Sequence, residues 1–178
     1  MVGDPAATLP ARLQADLSSA LPGVKVRVVN SGVPRATAES ALARMPALLA
    51  ESGANLVIWA TGAREAVLGL DLEPFVAALQ HGFEAVQKAG ANVILMDMQY
   101  APSIARIANL APFRAALVAT AAAHDVPVLA RYDLMMRWND DGLMDLDARD
   151  SEERRKVARQ LFSCLAHILA QPIAVAAR

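Results

Sequence analysis

Few residues in this chain of 178 combine reactive chemistry with a usable spacing. The one cysteine, Cys164, rules out an internal disulfide and any zinc site built on cysteines. Its neighbours Leu161, Phe162, Leu165 and Ile168 are apolar at helical spacing, so it reads as a buried structural thiol. The three histidines, His81, His124 and His167, are too scattered to match a metal-ligand pattern. No Gly-x-Gly-x-x-Gly or Walker loop follows any apolar run, so no cofactor is expected. Ser31 sits beside Gly32, Ser40 lies on the helix that follows and Ser103 follows the Tyr100-Ala101-Pro102 turn, but a serine needs an adjacent base to act as a nucleophile. His124 reads instead as the end of a helix, where a cation suits the dipole.

Other groups have plain readings. Arg64, Arg131 and Arg137 could gather on an anion near the strand ends, although separate surface arginines are the simpler reading. Glu152-Glu153-Arg154-Arg155-Lys156 mixes signs at three- and four-residue spacing, which suits a solvated helix face with internal ion pairs. Tyr132, Met135, Met136 and Trp138 read as a packed turn under the sheet edge. Gly32 and Gly62 each follow an expected strand. Lacking a Cβ, each could bring its N–H close to a ligand, but a tight turn needs nothing more.

The elements that must position these residues alternate along the chain. Helices are expected over residues 9–20, 36–52, 73–89, 111–124 and 151–170, where apolar residues recur at three- and four-residue spacing. Asp150-Ser151-Glu152-Glu153 opens the last of them as a capping box. Strands are expected over residues 24–30, 55–61, 92–98 and 126–130. The first alternates valine with Lys25 and Arg27, the middle two are continuous apolar runs of the kind covered on both faces, and Pro127 marks the last as an edge. Alternating strands and helices predict a three-layer α/β/α fold with a mostly parallel sheet, in a single domain over residues 1–178. Ligands in such folds sit beyond the carboxyl ends of the strands.

Composition narrows the function classes. Hydrophobic residues make up 55% of the chain and charged residues 20%, which excludes an intrinsically disordered chain. Seventeen Lys+Arg against eighteen Asp+Glu leave no basic surplus, so no nucleic-acid partner is expected. Mean hydropathy is +0.30, yet no apolar run approaches the roughly 18 residues of a membrane span. Residues 1–5 lack the regions of a signal peptide, so the cytoplasm is the expected location.

Several of these segments resemble the SGNH/GDSL hydrolases. Val28-Val29-Asn30-Ser31-Gly32 resembles the family's second block, where a strand ends in Asn-x-Gly before a helix. Leu56-Val57-Ile58-Trp59-Ala60-Thr61-Gly62 resembles the strand and glycine of its third block, and Asp97-Met98-Gln99-Tyr100-Ala101-Pro102 the next strand and turn in one subgroup. The order and spacing agree from about Pro5 to Ala170. The resemblance implies a flavodoxin-like sheet and hydrolysis of acyl esters by a serine, a histidine and an aspartate three residues before it. It also implies an oxyanion held by backbone N–H groups and a block-three asparagine, donors of a kind worth several kcal/mol each.

Carried over residue by residue, the resemblance makes Gly32 the block-two glycine and Gly62 the block-three glycine. Arg64 stands at the asparagine, so Gly32 and Arg64 form what remains of the oxyanion hole. Glu153 and Lys156 fall where the acid and base belong, and a looser alignment over Asp147 and Asp150 supplies no base either. Gly3-Asp4-Pro5 resembles Gly-Asp-Ser with proline in place of serine. Ala6-Ala7-Thr8-Leu9-Pro10 matches the segment after the nucleophile, so the family's first strand is expected upstream of Met1. The resulting expectation is a family member impaired as an esterase, with catalytic residues unknown and a small acyl-ester or anionic ligand as partner. The alternatives are a non-catalytic binding or assembly module and an unrelated doubly wound binder of a nucleotide or flavin.

Two geometric expectations follow. Without the first strand, residues 24–30 should pair directly with residues 55–61, or a second copy should fill the slot, because an unpaired buried edge is costly. Gly32, Gly62 and Arg64 should lie within about 12 Å of one another, the reach of one small ligand.

Overall fold

Three parallel strands form the sheet in a computed structural model of the chain, which describes residues 7–177. β1 (Leu56–Ala60) pairs with β2 (Asn92–Met96) from Leu56↔Asn92 to Ala60↔Met96, and β2 pairs with β3 (Val128–Leu129) through Leu95↔Val128 and Met96↔Leu129. β3 is short, and Pro127 adjoins it on the edge. A proline there donates nothing, but its carbonyl still accepts from Leu95 N at 2.9 Å.

The chain divides into two compact units. Residues 31–140 hold the sheet with α2 (Ala38–Ser52), α3 (Ala63–Leu68), α4 (Leu72–Lys88), α5 (Pro102–Ala105), α6 (Ala111–Ala123) and α7 (Arg131–Asp140). Side chains alternate across a strand, and Val57, Trp59, Val93 and Leu95 join one core with Met45 and Leu49 of α2, Leu79, Phe83 and Val86 of α4, and Phe113 and Leu117 of α6. The rings interlock edge to face, Trp59 on Phe83 at 6.1 Å and Phe75 on Phe113 at 5.4 Å between centroids.

The other unit holds residues 7–30 and 141–177. Within it α1 (Leu9–Ala20) packs on α8 (Ser151–Ala176). α1 buries Leu13 and Leu17, and α8 buries Val157, Leu161, Leu165 and Leu169, each set at four-residue spacing along one stripe.

Helix ends follow local chemistry. α2 starts at Ala38 because Thr37 and Ser40 form a reciprocal cap, with Thr37 Oγ1 accepting from Ser40 N at 3.2 Å and Ser40 Oγ accepting from Thr37 N at 2.9 Å. Asp150 caps α8, its Oδ1 accepting from Glu152 N at 2.8 Å and Glu153 N at 3.0 Å. α8 runs past the expected residue 170 and through Pro172, and buried Ala174 holds its last turn.

Three expectations are corrected. Residues 24–30 form no strand and do not pair with β1, whose one neighbour among the described residues is β2. Alternation specifies a half-buried face, but a strand also needs a ladder partner. Val24 and Val29 are exposed, and Val28 N donates to a side chain, Gln14 Oε1, at 2.8 Å. Residues 131–140 are a helix rather than a turn, with Tyr132, Met135 and Trp138 turned inward at three-residue spacing. Two short helices, α3 and α5, occupy connections for which no helix is expected.

Candidate functional site

The carboxyl ends of β1, β2 and β3 all open on loops of the sheet-bearing unit. β1 continues into Thr61 and Gly62, which starts α3. Gly62 has φ +95°, and a Cβ there would stand 2.6 Å from Met98 Cε and 3.2 Å from Phe75 Cζ. The left-handed backbone therefore favours glycine, and the buried Met98 side chain packs where a Cβ would stand. Arg64 is half-buried in the single turn that follows, and Gly32 is exposed in the loop before α2.

Between these loops stands a residue that sequence reasoning passed over. Glu65 is 3% exposed, and its Oε1 accepts from Ala38 N, the first N–H of α2. A carboxylate at a helix N-terminus satisfies a backbone donor and suits the dipole. It ties α3 to the helix that follows the Gly32 loop. Its Oε2 and the nearby Thr61 Oγ1 are buried without a hydrogen-bond partner.

β2 ends in the second missed group. Asp97 is 1% exposed; its Oδ1 accepts from Met98 N, and its Oδ2 accepts from Arg114 Nε at 3.0 Å and Nη2 at 2.9 Å. The same Nη2 reaches Asp133 Oδ1 at 2.9 Å, and the guanidinium lies 4.0 Å over the Tyr132 ring. Tyr132 in turn meets Tyr100 edge to face at 5.1 Å. Burial opposes the charge on Arg114, but Asp97 and Asp133 outweigh it and hold the guanidinium above its ordinary range. Arg131, first residue of α7, donates from Nε to the Asp97 carbonyl at 2.9 Å, and burial lowers it to about 10 against the pull of Asp97.

A signal for this network was present in the sequence. Asp97 interrupts the apolar run Val93-Ile94-Leu95-Met96, and Arg114 is the one charged residue of α6. A buried acid at a strand end requires a cation. Of the three arginines considered for an anion, Arg131 belongs to this network, Arg137 is exposed on α7, and Arg64 is on α3.

The positions that the resemblance gives to acid and base lie in the other unit. Glu153 and Lys156 pair with each other on the first turns of α8, Nζ to Oε1 at 3.3 Å. That unit also carries an open cleft of about 390 Å³ lined by Thr8, Pro10, Ala11, Gln14, Val28 and Asn30. His124 packs on Phe83 at 5.6 Å, His167 Nε2 lies 3.0 Å from Gln171 Nε2, and His81 is exposed on α4. Ser40 Oγ is committed to the α2 cap. Gly3-Asp4-Pro5 lies outside the described residues. Among the described residues no group of His, Cys, Asp and Glu could hold a metal, and no helix is long and apolar enough to cross a membrane.

Strands joined in parallel, with helices in the connections between them, define an α/β protein. The chain belongs to the non-GDSL lipase-like family, which matches residues 2–178, and with it to the SGNH/GDSL hydrolases. It is similar to TesA at 25% identity and a TM-score of 0.74, over 97% of this chain and 92% of that one. The lipase/acylhydrolase from Enterococcus faecalis shares the fold at 21% identity and a TM-score of 0.74, over 93% and 84% of the two chains. The fold class is three-layer α/β/α with a parallel sheet, as in these structures. An arylesterase of Vibrio mimicus is 28% identical over 81 residues, 46% of this chain, and the chain spans 40% of that relative's length.

Proposed function

We propose that this chain keeps the SGNH/GDSL scaffold, as one domain over both units, without the triad chemistry of acyl-ester hydrolysis. Its role on this reading is to bind or assemble in the cytoplasm, with a small acyl or anionic ligand as partner. The observation that carries the reading is the Glu153–Lys156 pair. The resemblance assigns these residues to the acid and base, and their side chains bond to each other at 3.3 Å. An ammonium offers three donors and no lone pair, so it cannot take a proton from a serine. Arg64 supports the same conclusion, because a long charged stem does not place a donor where a short amide would.

Losing several members of such a unit at once removes most of the rate, because they act together. The test is turnover of p-nitrophenyl acetate and butyrate, with labelling by a fluorophosphonate probe. The expected result is no saturable turnover and no labelled serine. Saturable turnover with one labelled serine, abolished by changing that serine to alanine, overturns the proposal.

A further inference from the structure

We propose that a cleft between α1 and α8 binds the ammonium group of a small primary amine, with the Asp16 carboxylate as its counter-charge. The inference stands on the unit that holds these two helices and does not depend on whether the chain hydrolyses esters. The cleft is an open hollow of about 230 Å³, lined by Asp16, Ser19 and Ala20 of α1 and by His167, Ala170 and Gln171 of α8. Each set falls at positions i, i+3 and i+4, so each makes one patch on its helix surface. The patches adjoin Leu17 and Leu169, which are buried in the same helix pair. Ala20 and Ala170 fill little space there, and the longer polar side chains border the hollow.

Those polar groups are uncommitted. Asp16 is half-buried, yet its carboxylate makes no hydrogen bond or ion pair among the described residues, not even with Arg12 one turn earlier. Ser19 is exposed, and its hydroxyl is likewise without a partner there. Gln171 Nε2 lies 3.0 Å from His167 Nε2. An amide nitrogen only donates, so the ring nitrogen accepts and Gln171 Oε1 is left without a protein partner. A carboxylate, a hydroxyl and an amide oxygen therefore border one hollow that no lysine or arginine lines.

That inventory selects the ligand class. An unpaired carboxylate favours a cation, and its half-burial strengthens the attraction over that in open water. An ammonium carries three N–H donors on a compact head, and the three kinds of oxygen around the cleft are acceptors for them. The methyl groups of Ala20 and Ala170 suit a short apolar chain behind that head. A metal ion fits less well, because no group of three His, Cys, Asp or Glu among the described residues could hold one.

The test titrates the full chain, labelled with ¹⁵N and ¹³C, with butylammonium chloride against sodium chloride at constant ionic strength. Butylammonium should shift the Asp16 carboxyl resonance and the amides of residues 16–20 and 167–171 saturably, with a Kd in the millimolar range. Butyltrimethylammonium chloride has the same charge and chain but no N–H, and should bind about tenfold more weakly. Asp16→Asn keeps an oxygen acceptor and removes the charge, and should weaken butylammonium binding by about tenfold. Glu152→Gln, which removes an exposed acid from the start of α8, should leave it unchanged. Shifts that sodium reproduces, equal binding of the two amines, or equal binding by Asp16→Asn overturns the proposal. If Asp16→Asn does not fold, the wild-type comparison of the two amines decides alone, and resonances that do not saturate with butylammonium refute the site.

Discussion

A close approach between a strand and a helix makes a sharp test of the core. Gly82 lies in α4 under Trp59 of β1, and a Cβ on it would stand 2.3 Å from Trp59 Cζ3 and 2.5 Å from Cη2. Carbon atoms in contact need about 3.5 Å, so Gly82→Ala forces the indole to move by about 1 Å. The ring has little room, since Trp59 is 5% exposed and its edge partner Phe83 is fully buried. Overpacking of this kind costs about 1–3 kcal/mol, and a rigid ring against a helix backbone belongs at the upper end. Alanine returns about 1 kcal/mol of helix propensity over glycine. The net loss is about 2 kcal/mol, a fall in Tm of about 4–8 °C for a chain of this size. Urea unfolding followed by circular dichroism measures it. Trp59→Phe in the Gly82→Ala background vacates the contested space, so the two changes should couple by about 1–2 kcal/mol. A Gly82→Ala chain as stable as the wild type, or more so, would refute the reasoning.

Two further outcomes are expected. Arg114→Met leaves the Asp97 carboxylate buried with one backbone donor and should cost about 3 kcal/mol in urea unfolding, the lower end of the range because Arg114 reaches solvent; adding Asp97→Asn should recover part of that loss. Backbone donors from Glu153 and Glu152 hold the Asp150 carboxyl below its ordinary value, so its stabilisation of α8 is present above the unfolded pKa and is lost as pH falls through the folded one. Asp150→Asn keeps an acceptor that does not titrate, and its Tm difference from the wild type should shift in the variant's favour between about pH 6 and about pH 3.

The helices were legible in the sequence because their cause is local. Residues 9–20 match α1 end to end, and the expected 111–124 matches α6 to within one residue, since periodic apolar positions, prolines in the first turn and cap residues lie within a few positions of each other. The strands at 55–61 and 92–98 were legible for a related reason: a continuous apolar run must be covered on both faces. Residues 24–30 carry an alternating strand signal instead, but pairing is decided elsewhere. Whether a neighbouring strand exists is a long-range fact, and alternating valines do not encode it. The site divides along the same line. The resemblance proposed Gly62 and Arg64 from the order of segments, and Glu153 and Lys156 from counting. The bonds of Asp97 to Arg114, 17 residues away, and of the Asp97 carbonyl to Arg131, 34 away, exist because the parallel sheet brings the ends of β2 and β3 and the start of α6 to one edge. The sequence alone determined which residues carry charge; only tertiary structure decided which charges are paired, because pairing depends on distance in space and on the water that burial removes.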